Sequence, residues 1–165
     1  MSTDVEAENS AYIRHGIEQL FNRGNLTVAD ERFADDIRLH SPASAEPIVG
    51  RDQVVEFIVA LRVAFPDLHV EIEDLIAADD RVVTRCTTTG THLGDYFGTP
   101  PTGHRVRINE VQIFRITDTR LVDLWLTFDV LGVLVQMGLI PASGMPAPVM
   151  HLLAWLQRRK TARGA

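Results

Sequence analysis

Two polar residues on an otherwise apolar strand face define the chemistry open to this chain. Glu110 and Gln112 lie two positions apart in the stretch 104–116, which reads as a long strand. A period of two puts Ile108, Glu110, Gln112 and Phe114 on one face. A carboxylate among such neighbours loses hydration, and its pKa rises. That suits it to general acid or base catalysis. Gln112 beside it can polarise a carbonyl or ring oxygen. The competing reading places Glu110 at a rim, paired with Arg107 or Arg38.

Histidine is the side chain that titrates near neutrality. His40 ends the alternating stretch 37–40. It can face Glu110 as half of a proton relay, or it can be a half-buried structural residue. His92 lies in the Gly-rich segment 90–103 (GTHLGDYFGTPPTG). It reads either as a donor at a pocket mouth or as a turn residue bonded to backbone. Tyr96 and Phe97 of that segment can form a lid that excludes water, or can simply pack on a sheet. Asp36 with Glu71 or Glu73 would make a two-carboxylate epoxide opener if both faced one cavity. Otherwise the acidic pairs Asp35-Asp36 and Asp79-Asp80 are turn or solvent residues. Cys86 is the single cysteine and cannot form an internal disulfide. No Cys/His spacing suggests a zinc site.

The elements that must hold these residues are legible in the hydrophobic period. Residues 1–9 read as a frayed, flexible acidic tail. Tyr12, Ile13, Ile17, Leu20 and Phe21 fall at helical spacing up to Asn22. Thr27 and Asp30 resemble a capping box for a short second helix ending near Phe33. The Pro- and Ala-rich segment 41–50 reads as a loop. Asp52 is placed to cap a third helix with Val54, Ile58, Leu61 and Phe65 on one stripe, stopped at Pro66. The period then changes to two. Strands are expected over 68–73, 81–89, 104–116 and 121–129. A helix at 130–137 ends at Gly138, with Asp129 as its N-cap. A linker and an amphipathic helix at 149–160 close the chain, making 142–165 an appendage to a domain spanning 10–141. Helices followed by a run of strands argue for an α+β fold. A curved antiparallel sheet around the N-terminal helices would leave a conical pocket.

Several of these segments, taken in order, resemble the SnoaL-like polyketide cyclases of the nuclear transport factor 2-like fold. They are Ala64-Phe65-Pro66-Asp67-Leu68, Gly90-Thr91-His92-Leu93-Gly94, Gly98-Thr99-Pro100-Pro101-Thr102-Gly103, Phe114-Arg115-Ile116, Trp125 with Asp129, and the run from Val130 to Pro141. His40 and Gly50-Arg51 also fit. The resemblance implies a cone-shaped α+β barrel, an oligomer, a hydrophobic pocket and no cofactor. It also implies ring closure by aldol chemistry, with an Asp on the last strand as acid/base. In this chain that position is Leu126. A neighbouring His of the family falls on Gln112, and another on Leu124. An acid/base mechanism dependent on that Asp therefore does not transfer. With Gln112 turned to the pocket, Glu110 and Phe114 join it from one strand, and Leu124, Leu126 and Phe128 from the next. Phe57, Phe65 and Tyr96 complete the expected binding wall.

The remaining expectations concern partners. The chain has 165 residues, 45% of them hydrophobic, and a net charge of −6. That charge disfavours nucleic acid and anionic membrane surfaces. Its start lacks the apolar core of a signal peptide, and its apolar runs are too short for a bilayer. It reads as a soluble, cytoplasmic protein with a hydrophobic small-molecule substrate. Val111, Ile113 and Trp125 would form an apolar outer sheet face, read as a homodimer interface. The expected activity is a cyclase or isomerase shaping a polyketide- or terpenoid-like intermediate. The alternatives are a non-catalytic carrier of an apolar ligand and a cofactor-free epoxide-opening enzyme.

Overall fold

The computed structural model describes residues 2–143, so the expected helix at 149–160 lies outside the described residues. The chain opens with α1 (Ser2–Ile17), which runs directly into a π-helical turn (Glu18–Asn22). Then come α2 (Val28–Arg32), β1 (Phe33–His40), β2 (Ile48–Val49) and α3 (Arg51–Ala64). Four strands follow: β3 (His69–Ala78), β4 (Arg81–Thr91), β5 (Arg105–Thr117) and β6 (Arg120–Phe128), and α4 (Val130–Gln136) closes the described fold.

The strands form one six-stranded sheet in the order β2-β1-β6-β5-β4-β3. All pairs are antiparallel except β1 with β6, which run parallel. The α+β expectation holds, with that one parallel pair set in an otherwise antiparallel sheet. The inner face carries Ile37, Leu39, Val70, Val82, Phe114 and Leu124, packed on Ile13, Ile17 and Leu20 of the first helical segment and Val54 and Ile58 of α3.

Several local expectations change. The residues read as a frayed tail are helical from Ser2, with Asp4 in the first turn and Asn9 donating to the Asp79 carbonyl. An acidic group there complements the helix dipole. Thr27 makes no cap bond; its hydroxyl donates to Asn25 instead. The N-cap of α3 is Gly50, at φ +103, rather than Asp52. Arg51 pins this helix to the sheet by donating to the Phe33 carbonyl and pairing with Asp35. The loop 41–50 contains the two-residue strand β2. Asp129 caps α4 as expected, accepting from the Gly132 N–H at 2.8 Å.

β3 is an edge strand, and the N-terminal segment shields it. Asn22 of the π-helical turn donates to the Val70 carbonyl and accepts from the Val70 N–H, at 3.1 and 2.7 Å. An amide side chain thus stands in for a missing strand neighbour. The same turn directs Phe21 toward the interior.

Candidate active site

The segments 64–68 and 90–94 meet at the mouth of a cavity, and their residue types follow from that contact. Gly90 lies against the Phe65 side chain with no room for more than a slight shift. A Cβ on Gly94 would overlap the Val63 carbonyl oxygen. The N–H groups of Leu93 and Gly94 donate to the Ala64 carbonyl, and Asp67 accepts from both the N–H and the hydroxyl of Thr91. These bonds hold the Asp67 carboxyl below the usual carboxylate range. A tight turn then pairs Tyr96 with Thr99, with Phe97 at φ +48 and Gly98 at φ +82. It sets the Tyr96 ring in the cavity wall.

The cavity lies between the inner face of the sheet and the helices. It offers about 80 Å³ to water-sized centres, room for several waters at roughly 10–15 Å³ each. Its wall is mostly carbon, as ligand pockets are. Gln112, Leu124, Leu126, Phe128, Tyr96 and Phe65 all line it, beside Glu110. Leu126 pairs directly with Gln112 across the strands. An aliphatic side chain that holds no proton therefore stands opposite the amide.

Glu110 is the carboxyl group of this wall. Thr88 Oγ1 donates to its Oε1 at 2.5 Å, and Gln112 Nε2 donates to the same oxygen at 3.0 Å. Among the described residues Oε2 has no hydrogen-bond partner, and Glu110 lines the cavity. Burial pushes the Glu110 pKa up, and the Thr88 and Gln112 bonds pull it part of the way back. Among the described residues no cation offsets the burial: Arg38 binds Asp123, and Arg107 reaches Thr87 on the other face. The rim pairing weighed for Glu110 is therefore absent.

Other expected site residues lie elsewhere. His40 does not face Glu110. Its neighbour Leu39 points inward, so His40 points out, stacked on Trp125 at 5.1 Å and 3.3 Å from Asp123 Oδ1. The alternation of Ile37 and Leu39 with Arg38 and His40 carried that signal. His92 is fully buried beside Phe65 and Tyr96 but is not part of the cavity wall. Its Nδ1 accepts the Thr102 N–H at 3.2 Å, which fastens the loop. Phe57 stacks on Phe97 outside the cavity. Phe114 lies one step too deep along β5 and lines a second, inner cavity. Asp36, Glu71 and Glu73 are exposed, and Glu73 accepts from Thr87, so the epoxide-opening pair is not assembled. Among the described residues no cluster of His, Cys, Asp or Glu could hold a metal ion.

Sequence reasoning missed Thr88 and Asp123. Thr88 is one of three adjacent threonines, and only the β4–β5 register, which pairs Cys86 with Glu110, brings it to the carboxyl. Asp123 is buried on the outer face under Arg38, Arg115 and His40. Burial alone would raise its pKa, but the bonds from these three partners lower it.

The family model for SnoaL-like polyketide cyclases matches residues 11–137. This chain belongs to that family. Among solved structures it resembles AclR of Streptomyces galilaeus, described as a candidate hydroxylase, at 29% identity and a TM-score of 0.72 over 96% of this chain and 98% of that one. It also resembles IdmH of Streptomyces antibioticus, described as a candidate polyketide cyclase, at 29% identity and a TM-score of 0.67 over 78% and 97%. A protein of ketosteroid isomerase-like fold from Catenulispora acidiphila shares the fold at 17% identity and a TM-score of 0.66, over 82% and 97%. No curated protein matches. The SnoaL-like chain thus has the family's fold, with Glu110 as the carboxyl group of its cavity wall. No helix among the described residues is long and apolar enough to cross a membrane.

Proposed function

We propose that this SnoaL-like protein is a cofactor-independent cyclase or isomerase acting on a hydrophobic polyketide- or terpenoid-like intermediate, with Glu110 as its proton-transfer group. One observation carries the reading: Glu110 lines a largely apolar cavity with one carboxyl oxygen held by two donors and the other without a partner among the described residues. Burial favours the neutral acid. The acid gives its proton from Oε2 to a substrate carbonyl oxygen. The carboxylate left behind is steadied by Thr88 and Gln112 on Oε1. It then removes a proton from an adjacent carbon, giving the enol and restoring the acid. The cavity wall supplies the rest of the catalysis by holding a flexible chain in one conformer.

A pure carrier would have no need of an unsatisfied acid in its wall. An aldol mechanism through the last strand is disfavoured by Leu126. The test is turnover of polyketide-type candidate substrates, followed by mass-resolved chromatography. Glu110→Gln keeps the shape and should cost at least ~100-fold in kcat, the usual scale for a lost general acid or base. Full activity in Glu110→Gln would sink the reading.

A homodimer through the outer sheet face belongs to the same proposal. Its support is a row of apolar residues in register across four strands: Ile76, Val83, Ile113 and Trp125. Ile76 is 67% exposed, and Val111 beside the row is 40% exposed.

A further inference from the structure

A second cavity adjoins the first, further along the same strands. The two share three side chains, Phe21, Leu39 and Leu124. They follow one another along the same strands. On β5 the outer cavity takes Ile108, Glu110 and Gln112, and the inner one takes Phe114, the next residue on that face. On β6 the outer cavity takes Leu126 and Leu124, and the inner one takes Leu124 and Leu121. The step from Gln112 to Phe114 is about 7 Å, two residues of strand. Only carbon faces the inner space; even Tyr12 and Arg32 present no polar atom to it. Such a space stays dry and accepts small apolar guests.

We propose that this inner cavity is a tail pocket. It takes the short, unfunctionalised hydrocarbon end of the same ligand whose oxygen faces Glu110 and Gln112. Its size sets the class of tail. It offers about 30 Å³ to water-sized centres, two or three atoms at roughly 10–15 Å³ each. That fits an ethyl or propyl end and excludes a long chain, a hydroxyl or a carboxylate. The substrate is then a ketone with an elaborate side toward the Tyr96 mouth and a two- or three-carbon alkyl group on the inner side. Phe21 stands between the two cavities on the π-helical turn, where the backbone departs from regular α-helix. It is the side chain that would swing to join the two spaces. This inference rests on the reading of Glu110 given above, and its test separates the two.

The test uses the full chain and a series of aryl alkyl ketones: methyl, ethyl, propyl, butyl and hexyl. Affinity is read by calorimetry in the wild type and in two variants that fill the inner cavity from its far wall, Gly16→Ala and Val54→Ile. The first also favours the helix, since alanine suits a helix interior better than glycine. The expected result is a gain of about fourfold per added CH₂ up to propyl, the equivalent of ~0.8 kcal/mol per buried methylene. The gain stops beyond propyl, and it is reduced in both filled variants with the methyl ketone unaffected. A flat series in the wild type, or the same rise in the filled variants, overturns the tail pocket. Xenon-pressurised crystals give an activity-independent check: xenon should bind between Phe114 and Leu121, and its absence there counts against the pocket. If the series behaves as expected while Glu110→Gln turns over substrate at full rate, the tail pocket stands and the acid reading alone fails.

Discussion

At Glu110, the two donors on Oε1 decide what the carboxyl can do. Both stabilise the charged form, so they oppose the burial that raises its pKa. Thr88→Val removes one of them with little change of shape. A hydrogen bond to a charged group contributes about 1.5–3 kcal/mol. Its loss should raise the Glu110 pKa further, read by infrared titration of the carboxyl. An unchanged titration would show that the hydroxyl is not bonded to the acid in solution. The acid form starts the proposed reaction, so activity should fall as pH rises through the Glu110 pKa. In Thr88→Val that falling limb should move to higher pH. Stability follows the same proton. The folded chain keeps it above the pH at which the unfolded chain releases it, so Glu110 favours folding at low pH and this contribution fades as pH rises. Asp123 works in the opposite sense. Its lowered pKa stabilises the fold above the unfolded carboxylate value, and that support is lost as pH falls through its folded value.

At the level of elements, the sequence revealed faces better than neighbours. Period-two alternation is local, so the inward side of β5 and β6 could be read from Glu110, Gln112, Leu124, Leu126 and Phe128. Where along a strand the cavity ends is not local. It depends on how far Phe21 and the helices reach over the sheet, and so Phe114 shares the face of Glu110 but lines the second cavity. Register is not local either: Thr88 became a partner of Glu110 only through the pairing of β4 with β5. Of the two readings open for His40, the structure has the half-buried one: Ile37 and Leu39 face the core, and His40 follows the alternation outward onto Trp125. The joint between α3 and the loop after β4 is the element most open to test. Gly94→Ala would press a methyl group into the Val63 carbonyl. It should cost about 1–3 kcal/mol of stability, typical of overpacking, in urea unfolding. It should also shift Tyr96 and weaken ligand binding. Unaltered stability would mean that the loop has room to move away from α3.

At the scale of the whole molecule, the outer face is the unfinished surface. If the apolar row pairs with a second copy, Ile113→Glu should give a monomer in sedimentation without unfolding the chain. It would place a charge opposite Trp125 in a face that must lose its water on association. A wild-type chain that sediments as a monomer at all accessible concentrations would remove the dimer from the proposal. The helices-then-strands order made the α+β class legible early, and the SnoaL-like resemblance supplied the curvature. The parallel contact of β1 with β6 was beyond reach of any local pattern. That contact has a consequence for how the chain is made. Arg38 and its partner Asp123 are 85 residues apart. On a ribosome adding ~5–20 residues per second, β1 waits on the order of ten seconds for the strand it will lie beside. Until β6 emerges, that side of β1 is an open strand edge, and such edges invite pairing with other chains.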